Sequence, residues 1–512
     1  MNGKTRFWLP SVADIFFLCP FLFLALKGGS NLLNDADTGY HIRTGEYIIR
    51  NLTVPQYDIF SNIEPPLPWV AHEWLSEVFM ALVHRFSGLT GVVVFFSFWI
   101  GAVYFFLFKF TRSLRFDLLL SIAIVILAVA SSQLHWLARP HIFSLLFTVV
   151  CYGLLNNYQY QDKDRLYLLP FLMLLWVNLH GGFVIGFALL GIYWIGNLGS
   201  FLLGEESRRN VSGEKCKKLA VITVVSLLFA LVNPRGAAIF LFPFRAVSNR
   251  FLMDSIIEFS SPNFHEPLPY KYLLLLMLGV LGVSRKRLDL IELILVLLFT
   301  SMSLYATRNI PLFAIIVTPI VLRQLHSMLY SSENKVAKIL RTRSNNLELA
   351  EVRTKGYLWP IGAVAVVCVL AATGKVAFRF DPEKKPVAAV EFLKREKLSG
   401  RMFNDDEFGD YLIYAAWPEY KVAFDGRSDM YAEAWLKQYM AILKLQPDWE
   451  KIIEKNKYAW IFCGAETPLS MVLMENKNWR LVYSDRVGDI FVKNIPENQS
   501  IIDKYAYSKT RS

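Results

Sequence analysis

Eleven apolar stretches recur along this chain. They fall at roughly 10–27, 90–109, 117–133, 142–158, 166–179, 183–203, 218–233, 269–283, 288–304, 309–327 and 357–374. A helix needs roughly 20 apolar residues to cross a bilayer, and most of these blocks approach that length. Only 19% of the 512 residues are charged, where soluble chains carry about 25%. The mean hydropathy is +0.35. The chain therefore reads as an all-α multi-span membrane protein with about eleven transmembrane helices. A net charge of +11 would point to nucleic acid in a soluble protein. Here it is read through topology, because Lys and Arg gather on the cytoplasmic side. The basic connectors "KFTRSLR", "EESRRNVSGEKCKK" and "SRKR" and the segment 323–355 then lie inside, with the amino terminus. No nucleic-acid partner is expected. Lys4 and Arg6 precede the first apolar run without a small-residue cleavage site, so that run is expected to stay as the first span. The five cysteines form no CxxC pair, which leaves no disulfide framework and no zinc site to propose.

Two outer segments are too long to be connectors. Segment 28–89 holds an amphipathic pattern over Thr38–Asn51, a Pro-rich stretch, and a second helix from about Val70 to Ser87. In that helix Trp74, Leu75, Val78, Phe79 and Leu82 share one face, opposite Glu73 and Glu77. Both helices are expected to lie along the membrane surface, and 1–374 is read as one transmembrane domain that includes this loop. The tail, 375–512, turns soluble in composition. "PVAAVEFLKREKLSG" reads as a helix ended by Gly400. "YKVAFDG", "YAWIFCG", "WRLVYSD" and "DIFVKN" read as strands, with helices over "YAEAWLKQYMAILK" and "PLSMVLMEN". A soluble, extracytoplasmic α/β domain that folds alone is expected there.

The stretch "NDADTGYHIRTGEY" crowds Asp35, Asp37, His41 and Arg43 at the exit of the first span. Ionisable groups beside hydrocarbon are costly and are functional candidates by default. A plainer role is also open: Asp37 or Thr38 caps the helix that begins there, and Asp35 marks the water interface. In the tail, Asp405, Asp406, Asp425, Arg427 and Asp429 suggest a second site. "FDGRSD" reads more simply as a strand end with a turn and an internal ion pair, since no phosphate loop or nucleophile pattern is nearby.

The order of short motifs adds to this. After Asp35-Ala36-Asp37 come "HIRTGE", Pro55, "DIFS" and "HEWL". Further on come "ARPHIFS", "NLHGGF", "NPRG", "EFSSPNF", "RNIPLFA" and "FDGRSDMY". Together they resemble the GT-C glycosyltransferases, and within them a bacterial membrane-protein subgroup. The likeness covers most of the chain. It departs at Ala36, where the subgroup usually has Pro, and at Gly39-Tyr40, where it usually has a Trp pair.

The resemblance implies an inverting membrane glycosyltransferase on the outer face of a bacterial plasma membrane. Its donor would be a polyprenyl-phosphate-linked sugar, and its acceptor an envelope glycan, lipid or protein. It places the catalytic carboxylate on Asp35. Asp37 would assist, or help to hold a divalent ion such as Mg or Mn; a tightly bound ion is not expected. The departing lipid phosphate calls for cations, and Arg suits phosphate through paired bonds. Arg139 and Arg308 fall at outer ends of spans, with His141 and His180 at the same level. His41, Arg43 and His72-Glu73 complete the substrate-binding candidates, with Glu258 (and His265) in the outer loop 234–268. For the arginines the plain alternative is snorkelling to headgroups. Two other functions compete. A transporter or flippase would be expected to show inverted repeats and broken helices at mid-membrane; no such repeat is found, and the acidic pair lies at the rim of the first span. A non-catalytic assembly protein of an envelope polysaccharide system would tolerate loss of Asp35.

Overall fold

A computed structural model describes residues 9–35, 37–203, 206–241, 257–351, 357–428 and 430–505. Lys4, Arg6, Ala36 and Asp429 lie outside the described residues. Contacts divide the chain into two units: Met1–Gly29 with Thr90–Ala377, and Ser30–Leu89 with Phe378–Ser512. The loop assigned above to the transmembrane domain thus groups with the tail.

Three helices open the chain: α1 (Val12–Phe23), α2 (Asp37–Asn51) and α3 (Trp74–Ser113). α1 starts at a capping box, in which Ser11 and Asp14 exchange side-chain and backbone bonds. α3 is two helices joined across a kink. Ser87 and Gly88 are non-helical there, and Gly88 takes a positive φ of 58° that suits glycine. The kink ends the expected second loop helix, and the boundary between the units follows at Leu89–Thr90.

The first unit continues with α4 (Leu118–Ser132), α5 (His141–Gln161), α6 (Leu169–Leu179), α7 (Val184–Leu203) and α8 (Glu206–Ala230). Then come α9 (Pro269–Val283), α10 (Leu290–Tyr305), α11 (Ile310–Ser331), α12 (Lys335–Glu351) and α13 (Leu358–Ala372). Each of the eleven apolar stretches falls largely on a helix. By length and apolarity, five helical stretches among the described residues suffice to cross a membrane: Val12–Leu33, Trp74–Ser113, Leu118–His135, Gly181–Leu203 and Thr307–Ser331. Four more are apolar but shorter: Leu166–Leu179, Pro269–Val283, Leu290–Tyr305 and Leu358–Ala372. The chain is a multi-pass membrane protein. Phe17, Phe21 and Ala25 pack with Val94 and Val367, tying the first helix to α3 and α13.

The second unit carries a four-stranded sheet of order β1-β2-β4-β3. Along the tail run α14 (Val387–Glu396), β1 (Arg401–Asn404), α15 (Asp406–Ala416), α16 (Glu433–Leu443) and α17 (Trp449–Lys455). β2 (Tyr458–Gly464), α18 (Pro468–Glu475), β3 (Trp479–Ser484), β4 (Gly488–Lys493) and α19 (Gln499–Lys504) follow. β1 runs parallel to β2, and β4 is antiparallel to both β2 and β3.

Three expectations are corrected. The helix over 387–396 ends at Lys397, in the left-handed region, and not at Gly400. "YKVAFDG" does not join the sheet. Its Val422 forms an isolated parallel bridge with Ser61 of the loop, where Asn62 N–H donates to Val422 O at 2.7 Å and Val422 N–H to Phe60 O at 3.1 Å. α2 does not turn its apolar face to lipid. Ile42, Thr44 and His41 are buried, because α15 crosses α2 at Gly39 and the start of α3 crosses it at Gly45. A Cβ on Gly39 would stand 2.6 Å from the Asp410 carbonyl oxygen, so only glycine lets the two helices approach this closely.

Candidate active site

The acidic pair sits where α2 begins. Asp35 Oδ1 accepts the Asp37 N–H at 3.0 Å, a turn that satisfies the first amide of α2. Asp37 is buried and shares a hydrogen bond with the Asp410 carboxyl of α15. Two carboxyl groups bond to one another only if one keeps its proton. Asp410 is that group. Burial foremost, then the charges of Asp37 and Asp425, hold it well above the usual carboxylate range. Gly426 N–H donates to both Asp410 oxygens at 3.1 Å. A Cβ at Gly426 would collide with Asp37 Oδ1 and Asp410 Oδ2. The glycine of "FDG" is thus fixed by the carboxyl pair it backs.

Next along α2, His41 Nδ1 lies 3.1 Å from Glu77 Oε1, and its Nε2 lies 3.8 Å from Glu73 Oε2. His72 Nε2 is 3.6 Å from Glu73 Oε1. Three sequence candidates, His41, His72 and Glu73, therefore meet around one carboxylate, with Glu77 behind them. Arg43 goes elsewhere. Its Nε and Nη2 donate to Tyr414 O at 2.8 and 2.5 Å, and its Nη1 donates to Glu46 at 2.5 Å. Burial works to raise the Glu46 carboxyl, but bonds to His84 and Arg43 outweigh it and hold the group below its usual range. Arg43 thus fastens α2 to α15.

In the tail, Asp425 and Arg427 form the internal ion pair expected of "FDGRSD". The pair also recruits Asp58 of the loop, whose Oδ1 accepts from Arg427 Nη2 at 2.8 Å. Asp405 lies at the end of β1, where burial and the neighbouring Asp406 push it up to about 7.

Asp410 makes stability depend on pH with a definite sign. Folded, it keeps a proton that the unfolded chain loses near 3.8. Its contribution is whole below that value and is lost as pH rises through the higher folded value. Asp405 adds a fall of the same sign between about 3.8 and about 7. Asp410→Asn keeps a donor toward Asp37 but carries no titrating proton. It is expected to flatten the decline in melting temperature as pH rises above about 3.8. Parallel melting curves for variant and wild type would place the proton elsewhere.

In the first unit, Arg139 Nη1 pairs with Glu258 Oε1 at 3.0 Å. Thr307 Oγ1 donates to Glu258 O at 3.1 Å, and the Arg308 guanidinium lies 4.7 Å over the Phe259 ring. Arg139, Glu258 and Arg308 are therefore brought to one end of the helices. The His141 ring is 4.4 Å from that of His135 and 6.5 Å from that of His180. His180 Nδ1 accepts from Gly182 N–H at 2.9 Å, so the neutral ring carries its hydrogen on Nε2. His265 is exposed in its loop.

Among the described residues, no group of three or more His, Cys, Asp or Glu is placed to hold a metal ion. Asp35 and Asp37 offer carboxylate oxygens of the kind that Mg or Mn takes, and one Asp35 oxygen already accepts a backbone N–H.

No protein-family model matches the chain, and no curated protein does. Among solved structures, the chain is similar to the archaeal oligosaccharyltransferase AglB from Archaeoglobus fulgidus, in complex with an inhibitory peptide and a dolichol-phosphate. The TM-score is 0.55 at 12% identity, over 95% of this chain and 75% of that one. At that identity the likeness is one of fold.

Proposed function

We propose that this protein is a membrane glycosyltransferase of the GT-C kind, working from a polyprenyl-phosphate-linked sugar. The fold likeness to an oligosaccharyltransferase over 95% of the chain carries this reading. That protein was solved with a dolichol-phosphate and a peptide. The corresponding partners here are a polyprenyl phosphate carrier and a glycan, lipid or protein acceptor of a bacterial envelope.

In the proposed reaction an acceptor hydroxyl attacks the anomeric carbon on the face opposite the phosphate, inverting it. The new C–O bond forms as the bond to the phosphate oxygen breaks. The polyprenyl phosphate leaves with the electron pair. Asp35 takes the hydroxyl proton; with a reference pKa near 3.9, a carboxylate is ready as a base at neutral pH. Asp37, beside Asp410 at the start of α2, is proposed to assist Asp35. Arg139 and Arg308 are the cations proposed for the departing phosphate. Arg139 would exchange its bond to Glu258 for one to the ligand. His41, His72 and Glu73 are proposed to contact substrate, with His141 and His180 beside the arginines.

The reading requires an outward-facing acidic pair. Eleven crossings with the amino terminus inside place segment 28–89 and the tail outside. In a background lacking native cysteines, Ser87→Cys and Ser508→Cys are expected to react with an impermeant thiol reagent in intact cells, and Ser332→Cys is not. Labelling of Ser332→Cys alone would invert the orientation and end the polyprenyl-sugar reading. The activity itself is tested by mass spectrometry of lipids and glycans from cells with and without the gene. Unchanged glycans and carriers would remove the proposal.

A further inference from the structure

α12 joins two apolar helices and has two different faces. Its inner face is packed in the first unit. The Ser344 hydroxyl accepts Leu118 N–H at 3.1 Å, Glu348 pairs with Arg112, and Glu351 accepts Val12 N–H at 3.0 Å. Beside that face, Val336, Ile339 and Leu340 stand at helical spacing and are 65%, 51% and 40% exposed. Cations flank them. Lys335, Lys338, Arg341 and Arg343 lie within three turns, against one acid, Glu333. Glu333 is shared, 3.2 Å from Lys338 and 4.0 Å from Arg341. An open surface groove of about 510 Å³ lies on this side, with Lys335, Lys338, Ile339, Arg343 and Glu333 in its lining.

The position of the helix fixes what meets this groove. α11 belongs to a helical stretch long and apolar enough to cross the membrane, and only residues 332–334 separate it from α12. Three extended residues reach about 10 Å. α12 therefore begins at the membrane surface, where its exposed apolar triad meets acyl chains and its cations meet headgroups. Cations beside exposed apolar side chains fit an amphiphile better than a free ion. The excess of cations over acids favours an anionic headgroup over a zwitterionic one.

We propose that the α12 groove binds the headgroup of an anionic phospholipid of the surrounding leaflet, with its acyl chains against Val336, Ile339 and Leu340. The site is independent of the sugar-transfer reading and needs only that α11 crosses the bilayer.

The test uses the full chain in nanodiscs holding spin-labelled phosphatidylglycerol or spin-labelled phosphatidylcholine. Wild type should immobilise phosphatidylglycerol in preference. Lys335→Gln, Lys338→Gln and Arg343→Gln together should remove that preference, at roughly fivefold per cation. Ile339→Glu, at an exposed position that leaves the packed face untouched, should also expel it. Lys394→Gln, Lys451→Gln and Lys477→Gln, at exposed tail positions, should change nothing. Equal immobilisation of the two lipids by wild type would overturn the proposal. So would an unchanged preference in both groove variants, or displacement of the lipid by millimolar inorganic phosphate.

Discussion

Asp35→Asn is expected to reduce sugar transfer by roughly 10²–10⁴-fold, the usual contribution of a positioned general base, without loss of folded protein. The structure makes this substitution more informative than it is from sequence alone. Asp35 is the residue whose Oδ1 accepts the Asp37 N–H at the start of α2, and Asn makes the same turn as Asp. The amide oxygen keeps that bond, so the start of α2 survives while the basic oxygen is lost. Asp35→Ala removes both and should add about 1 kcal/mol of destabilisation. Asp37→Asn is expected to cost less activity, because its amide oxygen can still accept from the Asp410 carboxyl and hold the helix start. The measurement is transfer from a polyprenyl-phosphate sugar in membranes at matched protein levels. Near-normal turnover in Asp35→Asn would leave Asp35 as a turn residue at the start of α2 and remove the proposed mechanism.

What the sequence allowed to be read follows the range of each interaction. Apolar length is a local property, so all eleven stretches came to lie on helices. β2, β3 and β4 were legible because each is a short apolar run bounded by turn residues. β1 was not, since "RMFN" is four residues flanked by charge, and only its pairing with β2 makes it a strand. α15 was hidden by Gly409, a poor helix former. That glycine is there because a Cβ would strike the Phe424 carbonyl oxygen. Asp410, the missed member of the acidic cluster, gives no local signal of its link to Asp37. Arg427 and Asp425 were visible as a pair two residues apart, whereas Asp58 stands 369 residues from Arg427 in the chain. Contacts of that kind join the loop to the tail, and no periodicity encodes them.

The same ion cluster carries the largest expected effect on stability. Arg427 is 1% exposed, with Nε 2.9 Å from Asp425 Oδ1 and Nη2 bonded to both Asp425 and Asp58. Its guanidinium lies 4.9 Å over Phe60 and 4.5 Å over Trp69. Asp58 also accepts the N–H groups of Phe60 and Ser61, and Tyr431 donates to Asp425 at 3.0 Å. Arg427→Leu would strand two buried carboxylates, and breaking a buried pair from one side costs about 3–5 kcal/mol. The pH dependence carries a second sign. Burial works to raise Asp58, but Arg427 and the bonds from Ser61 and Phe60 prevail and hold it below its usual value of 3.8. Its contribution is present above that value and lost as pH falls through the lower folded value, opposite to Asp410. Arg427→Leu should therefore lower the melting temperature at neutral pH and narrow the gap to wild type in strong acid. The cluster also bears on the tail as an independent domain. Expressed alone, 378–512 lacks Asp58, Phe60 and Trp69, leaving Arg427 with one of its two carboxylate partners and neither ring. It is expected to melt well below a fusion of 30–89 to 378–512. Equal melting of the two proteins would show that the loop is dispensable to the fold of the tail.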